Sequence, residues 1–246
     1  MQIDVLFGSA GVTPADMSGR VVAVIDVLRA STSIAVALEN GAKAIVPFDK
    51  SEDVVSRAKA FERGDVRLAG ERKSLPIPGF DLGNSPLQFT REAVEGRTIL
   101  MATTNGTGAV TATQGARDVI IASYVNFSTS LSFLRAALRM GTDVVLMCAG
   151  QDRQFALEDA ACAGRYATHM AKRLTGVTLN DGAQACALIY KKYGENVMKV
   201  FDASAHGRAL REAGFAEDLA VCAEIDTHGV LPVYQDRQIT RLGSDR

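Results

Sequence analysis

The sequence predicts an α/β fold: a mostly parallel sheet of about six strands between helices, in three α/β/α layers, with a helical C-terminal subregion. Two observations carry that expectation. Short β-branched runs alternate with helical patterns through the first two thirds of the 246 residues. Alternation of this kind builds a parallel sheet with helices on its faces. Most runs are also apolar throughout rather than alternating, as strands covered on both sides require.

Residues 21–25, 44–48, 66–69, 98–102, 119–122 and 144–147 read as the strands. Between them, residues 31–40, 51–61, 107–114 and 128–140 read as helices. In the last of these, Leu131, Leu134, Ala137 and Leu138 fall at helical spacing. Gly41, Gly115 and Gly141 follow three of the helices and suit C-caps. From about residue 156 the texture changes. Residues 156–174 read as one long helix, in which Leu157, Ala161, Gly164, Ala167 and Ala171 suit close packing. Residues 181–193 and 204–213 read as shorter helices, and 221–225 and 231–234 as closing strands. With no low-complexity linker and no internal repeat, residues 1–246 read as a single domain whose C-terminal subregion spans roughly 156–246.

Composition narrows the partners. Hydrophobic residues at 47 % and charged residues at 22 % are ordinary globular values. A net charge of −1 argues against nucleic acid or an anionic membrane, both of which attract strongly basic surfaces. No apolar run approaches the ~20 residues of a membrane span, and the start of the chain lacks a signal-peptide pattern. Cys148, Cys162, Cys186 and Cys222 form no CxxC pair and no zinc pattern. A cytoplasmic protein with free thiols is expected, and a homo-oligomer is the usual expectation for such a chain.

Four of the strands run into unusual residues: Asp26 to Thr32, Gly70-Glu71-Arg72, Thr103-Thr104-Asn105-Gly106-Thr107 and Cys148-Ala149-Gly150. In a parallel sheet these C-terminal ends share one edge, where open α/β folds bind ligands. Residues 70–86 form a connection far longer than the usual ~2–6 residues and hold three of the six prolines. They also carry Glu71, Arg72, Asp81 and Asn84, and end at Ser85-Pro86, a helix-start signal. An acid, a base and an amide in a stiff frame favour a site.

Asp26, closing an apolar run, suits either a helix cap or a metal ligand or general base. Arg29 offers a cation for an oxyanion, and Ser31 and Thr32 open the next helix, whose start attracts phosphate. Thr103 to Thr107 is either an elaborate cap or a phosphate cradle; it does not match GxxxxGK[ST], so a nucleotide triphosphate is not indicated. A buried strand cysteine such as Cys148 is most often core. The Cys-x5-Arg phosphatase spacing fails by one residue, the arginine standing at Arg153, and Leu28 breaks an Asp-x-Asp motif. Glu158 and Asp159 suit the first turn of their helix, with a metal role open. His169 reads as structural and His206 as an outside candidate. Cys162, Cys186 and Cys222 read as core.

At these residues the chain resembles the 2-phosphosulfolactate phosphatases, the ComB-like family. The segments that carry the likeness are residues 25–32, 70–72, 79–86 and 103–107, then Cys148-Ala149-Gly150, Glu158-Asp159, Ser204-x-His206-Gly207-Arg208 and Asp218-Leu219. They span nearly the whole chain. Where the family carries glycine and a basic residue, this chain has Lys73-Ser74-Leu75-Pro76-Ile77-Pro78, and Gln88 stands where an acid is common. The resemblance implies a magnesium-dependent hydrolase of phosphate monoesters of 2-hydroxycarboxylic acids, releasing sulfolactate and phosphate. In archaea that reaction serves coenzyme M synthesis. It implies Mg²⁺ on Asp26 and Glu71, with Asp159 a further ligand. Asp26, Arg29 and Arg72 would be catalytic, and Ser31, Thr32, Asn84, Ser85, Thr103, Thr104, Asn105 and Gly106 would hold phosphate and substrate. Direct attack by water and a phosphoenzyme on Asp26 or Cys148 both remain open, as does a non-catalytic anion-binding protein built on the same pocket.

Overall fold

The alternating runs do build a sheet between helices, with more strands than expected. The computed structural model describes residues 1–152, 154–172 and 174–243; Arg153 lies outside them. The chain opens with β1 (Gln2–Phe7), α1 (Pro14–Met17), β2 (Val21–Ile25), α2 (Ala30–Glu39), β3 (Ala44–Phe48) and α3 (Ser51–Ala58). It continues with β4 (Val66–Arg72), β5 (Leu75–Pro76), a 3₁₀ turn at Pro86–Gln88, α4 (Arg91–Val94), β6 (Thr98–Ala102) and α5 (Gly106–Thr111). Next come β7 (Asp118–Ala122), α6 (Phe127–Arg139), β8 (Val144–Cys148), α7 (Leu157–Ala171), β9 (Thr178–Leu179) and α8 (Asp181–Tyr193). Then follow α9 (Val197–Ala203), α10 (Ala205–Glu212), α11 (Ala216–Ala223), β10 (Pro232–Gln235) and β11 (Gln238–Arg241).

Among the described residues eleven strands form one sheet, in the order β5-β4-β6-β3-β11-β10-β7-β2-β8-β1-β9. The expected count of about six is therefore corrected. β1 lacks the continuous apolar run of strands such as β2 and β8, since Gln2 and Asp4 alternate with buried Ile3 and Val5. The sheet is also only partly parallel. Parallel ladders join β4-β6-β3 and β7-β2-β8-β1-β9. Between the two blocks sits the antiparallel hairpin β10–β11, which touches β7 through Val233–Ile120 and β3 through Ile239–Ile45. Three antiparallel steps reverse direction, so the two parallel blocks run opposite ways. Sheet twist of about 20–25° per strand accumulates over the five steps from β6 to β2 and swings their C-terminal ends toward each other.

The continuous apolar runs have the cause expected of them. In β2, Ala23 and Ile25 pack into a core with Leu134 of α6, Ala160 and Ala163 of α7 and Cys186 of α8. Val22 and Val24 pack on the other face, against Ile34, Ala35 and Leu38 of α2. Both faces of the strand are dry, so every position is apolar. Residues 221–225 are not a closing strand: Val221 and Cys222 end α11, whose first turn carries Glu217 and Asp218. Acids there are stabilised by the helix dipole, and Leu219 and Cys222 are its buried face. The helix start expected at Ser85-Pro86 is a single 3₁₀ turn. No helix among the described residues is long and apolar enough to cross a membrane. All four cysteines are free and buried.

The connection at 70–86 is more ordered than a loop. β4 runs on to Arg72 and folds back as a two-residue hairpin, pairing Arg72 with Leu75. The return then lies along β4: the Asp81 carboxylate accepts from Leu68 N–H at 2.8 Å, and Gly70 N–H donates to Leu82 O at 3.1 Å. Asp81 thus serves the fold. Glycine at 70 allows the close approach of β6, since a Cβ there would sit 2.1 Å from the Ala102 carbonyl oxygen.

Candidate active site

Three of the four unusual strand endings, and the residues just after the fourth, meet around a cavity of about 220 Å³. Asp26, Leu28 and Arg29 line it from the end of β2; Glu71, Lys73 and Ser74 from the β4–β5 hairpin; Thr104 and Asn105 from the end of β6. Asn84, then Gln151 and Asp152 after β8, and His206 and Ala209 of α10 complete the wall. The endings converge because two opposed blocks face each other, not because four parallel strands share an edge. A larger depression of about 760 Å³ lies beside the β10–β11 turn, between Asp49, Gln114 and Arg237. It holds none of these endings.

Asp26 sits at the junction. Its backbone carbonyl accepts from Ser31 N–H at 2.8 Å and its Oδ1 from Ala30 N–H at 3.3 Å, so it satisfies amides at the start of α2, although the N-cap position itself is Arg29. Its other carboxylate oxygen faces Gly106, where a Cβ would lie 2.6 Å away. Burial pushes the Asp26 carboxyl up to about 6; nearby His206 opposes the shift, while Glu71 and Glu158 reinforce it. Asp26 is thus a buried acid on the cavity wall whose negative charge a proton or a cation would relieve.

Glu71 ties the ends of β4 and β6 together. Its Oε1 accepts from Thr104 N–H at 2.7 Å, and its Oε2 accepts from the Thr104 hydroxyl at 3.0 Å and from Ser74 N–H at 2.8 Å. Arg29 is almost fully buried and pairs with Asp218 of α11. It also donates to Ser74 O at 2.9 Å and lies 4.3 Å over the Phe215 ring. Asp218 in turn accepts from the Ser85 hydroxyl at 2.6 Å. The latch Arg29–Asp218–Ser85 fastens three distant segments at the cavity wall. Asp218 had no assigned role in the sequence; a buried arginine is the signal that required such a partner.

Several expected site residues have other work. Asp159 lies under the cavity: its Oδ1 accepts from Val27 N–H and its Oδ2 from Gly150 N–H, each at 2.9 Å. It clamps the ends of β2 and β8 and, unlike Glu71, does not line the cavity. Burial, then the charges of Asp26 and Glu158, push its carboxyl well above the usual range. Cys148 is fully buried in the helix-facing core, and burial pushes its thiol well above its ordinary value. Such a thiol lacks the exposed, thiolate-favouring surroundings that activate a nucleophile. Arg72 turns away, donating to Glu71 O and Asp49 O. Ser31 accepts from Asp26 N–H, Thr32 donates to Val27 O, and Thr103 and Thr107 cap each other. These hydroxyls shape the walls; they do not line the cavity.

His206, an outside candidate, lines the cavity. Its Nδ1 sits 3.2 Å from Glu158 Oε1. Burial alone would lower the imidazole, but the hydrogen bond and charge of Glu158, with Asp26 behind, raise it. Glu158 is therefore a partner of histidine in the first turn of α7. Lys73 opens the span in which this chain departs from the family pattern. It and Ser74 form the hairpin tip with φ of 52° and 69°, a left-handed pair that costs on the order of 1–2 kcal/mol per residue outside glycine.

Among the described residues, no group of three or more His, Cys, Asp or Glu side chains is arranged to hold a metal by itself. Magnesium does not need one: it takes one or two carboxylates and completes its shell with waters and substrate phosphate. The donors here suit such a hard cation. Asp26 and Glu71 supply carboxylates, and the amide oxygen of Asn84 is buried without a hydrogen-bond partner.

The sequence pattern of 2-phosphosulpholactate phosphatase matches residues 9–237. A protein of Symbiobacterium thermophilum named probable 2-phosphosulfolactate phosphatase is 39 % identical over 92 % of this chain and 96 % of its own. Another of the same name from Clostridium beijerinckii is 31 % identical over 98 % of this chain and 99 % of its own. One from Caldanaerobacter subterraneus is 36 % identical over 88 % of each. The matched span runs from the approach to α1 as far as the turn of the C-terminal hairpin and takes in every strand ending at the cavity, so the chain belongs to the 2-phosphosulpholactate phosphatase family.

Proposed function

We propose that this protein hydrolyses 2-phosphosulfolactate to sulfolactate and inorganic phosphate, with magnesium as cofactor. The observation that carries the reading is that Asp26 and Glu71, from the two sheet blocks, line one cavity together with Arg29. These two acids would hold Mg²⁺, which when bound neutralises phosphoryl oxygens and so favours attack at phosphorus.

The protein's own groups do the rest. Arg29 has guanidinium N–H groups beyond those spent on Asp218 and Ser74, and they are suited to phosphate oxygens. Thr104 and Asn105 border the same space from the start of α5. His206, its Nδ1 engaged by Glu158, has Nε2 left to protonate the oxygen that departs with sulfolactate. Positioning and charge stabilisation account for most of the catalysis expected of such a site. The absence of disulfides among four buried cysteines suits a reducing compartment, and the cytoplasm is the setting we propose.

Phosphate release from 2-phosphosulfolactate, measured with Mg²⁺ and again with excess chelator, tests the reading. Activity that needs the metal is expected. Full turnover in chelator would remove magnesium from the scheme, and saturable binding without any turnover would make the cavity an anion-binding site instead.

A further inference from the structure

The tip of the β4–β5 hairpin is a two-residue turn in which both residues, Lys73 and Ser74, have positive φ. Asparagine and glycine are the residues that suit such a turn. A lysine there is locally unfavoured, and other contacts hold the tip in place. Ser74 N–H donates to Glu71, and Ser74 O accepts from Arg29, so both anchors are themselves residues of the cavity wall. The turn is thus fastened to the site through its second residue, and its first, Lys73, borders the cavity.

The charge balance around the cavity gives that lysine a task. Arg29 is already matched by Asp218, and Arg72 is directed to backbone carbonyls outside. Lys73 forms no ion pair with any described residue and is exposed, so its ammonium is available at little desolvation cost. Resting on the function proposed above, the substrate brings a phosphate for the metal and Arg29, and a separate sulfonate at its far end. We infer that Lys73 is the specificity-determining cation that pairs with the sulfonate. The hairpin is the arm that carries it over the cavity.

The test compares 2-phosphosulfolactate with 2-phospholactate, which lacks only the sulfonate, in the wild type, Lys73→Asn and Lys73→Arg. Asparagine suits the left-handed turn better than lysine, so a loss in Lys73→Asn is not the result of unfolding. The expected result is a KM about tenfold higher for 2-phosphosulfolactate in Lys73→Asn, as for loss of one exposed charge-assisted contact. Its kcat stays unchanged, 2-phospholactate is turned over as by the wild type, and Lys73→Arg restores most of the discrimination. An equal KM rise for both substrates, or none for either, overturns the assignment, as does a wild type that does not distinguish the two. A wild type that hydrolyses neither overturns the proposed function itself, and the inference with it.

Discussion

Removing Asp218 tests how the cavity wall is held. Asp218 and Arg29 form an ion pair with side chains 3 % and 2 % exposed, and Ser85 also donates to Asp218. Asp218→Asn keeps the shape and leaves the guanidinium uncompensated. Breaking one side of a buried pair costs about 3–5 kcal/mol. Arg29 keeps Ser74 O and the Phe215 face, which places the cost near the lower end, about 3 kcal/mol. For a chain of this size that lowers the melting temperature by about 6–12 °C. Thermal unfolding followed by circular dichroism in magnesium-free buffer measures it. The double variant Arg29→Met with Asp218→Leu removes both charges and should cost at least about 2 kcal/mol less than the two single changes added together. A single variant melting within a degree of the wild type, or strict additivity in the double, would refute the latch.

Other changes probe the site from different sides. Burial raises the folded Asp26 carboxyl from 3.8 to about 6, so its stabilising contribution is present below pH 4 and lost as pH rises through 6. At neutral pH the charged form costs the fold about 3 kcal/mol. Asp26→Asn should therefore melt several degrees above the wild type at pH 7.5 without magnesium, melt with it at pH 4, and lack activity; a less stable variant at pH 7.5 would contradict this. Gly106→Ala places a methyl 2.6 Å from the Asp26 carboxylate and from Ala30 Cβ. A displacement approaching 1 Å should cut kcat about 100-fold with the circular dichroism spectrum unchanged, and an active variant would show that Asp26 tolerates being moved. Cys148→Ala should keep wild-type turnover and lose about 1 kcal/mol of stability, whereas complete loss of turnover would reinstate the thiol as nucleophile.

The sequence disclosed the parts whose cause is local. Residues 21–25 read as a doubly covered strand because each face meets its own apolar cluster, and Asp26 stood out because it ends that run. Non-local causes stayed hidden. The reversal between the two blocks is set by single pairings at Ile120 and Ile45, which no periodicity records. The 73–74 turn carries Lys-Ser in place of Asn-Gly, so the usual hairpin signal was absent. Asp26, Asp159 and Asp218 are all buried acids, and spacing cannot say which meets a cavity, which backbone N–H groups and which an arginine. Cys148 was ambiguous for the same reason: the side of the strand it faces is decided by register with Ile25 and Phe7.

The position of the β10–β11 hairpin has a consequence for the order in which activity can arise during synthesis. Residues 232–241 leave the ribosome after both parallel blocks, yet they supply the ladder between the block bearing Asp26 and the block bearing Glu71. Each block can form its own parallel pairings earlier. Until the hairpin inserts, the two acids belong to separate half-sheets, and a nascent chain stalled before residue 232 should be partly folded and catalytically silent.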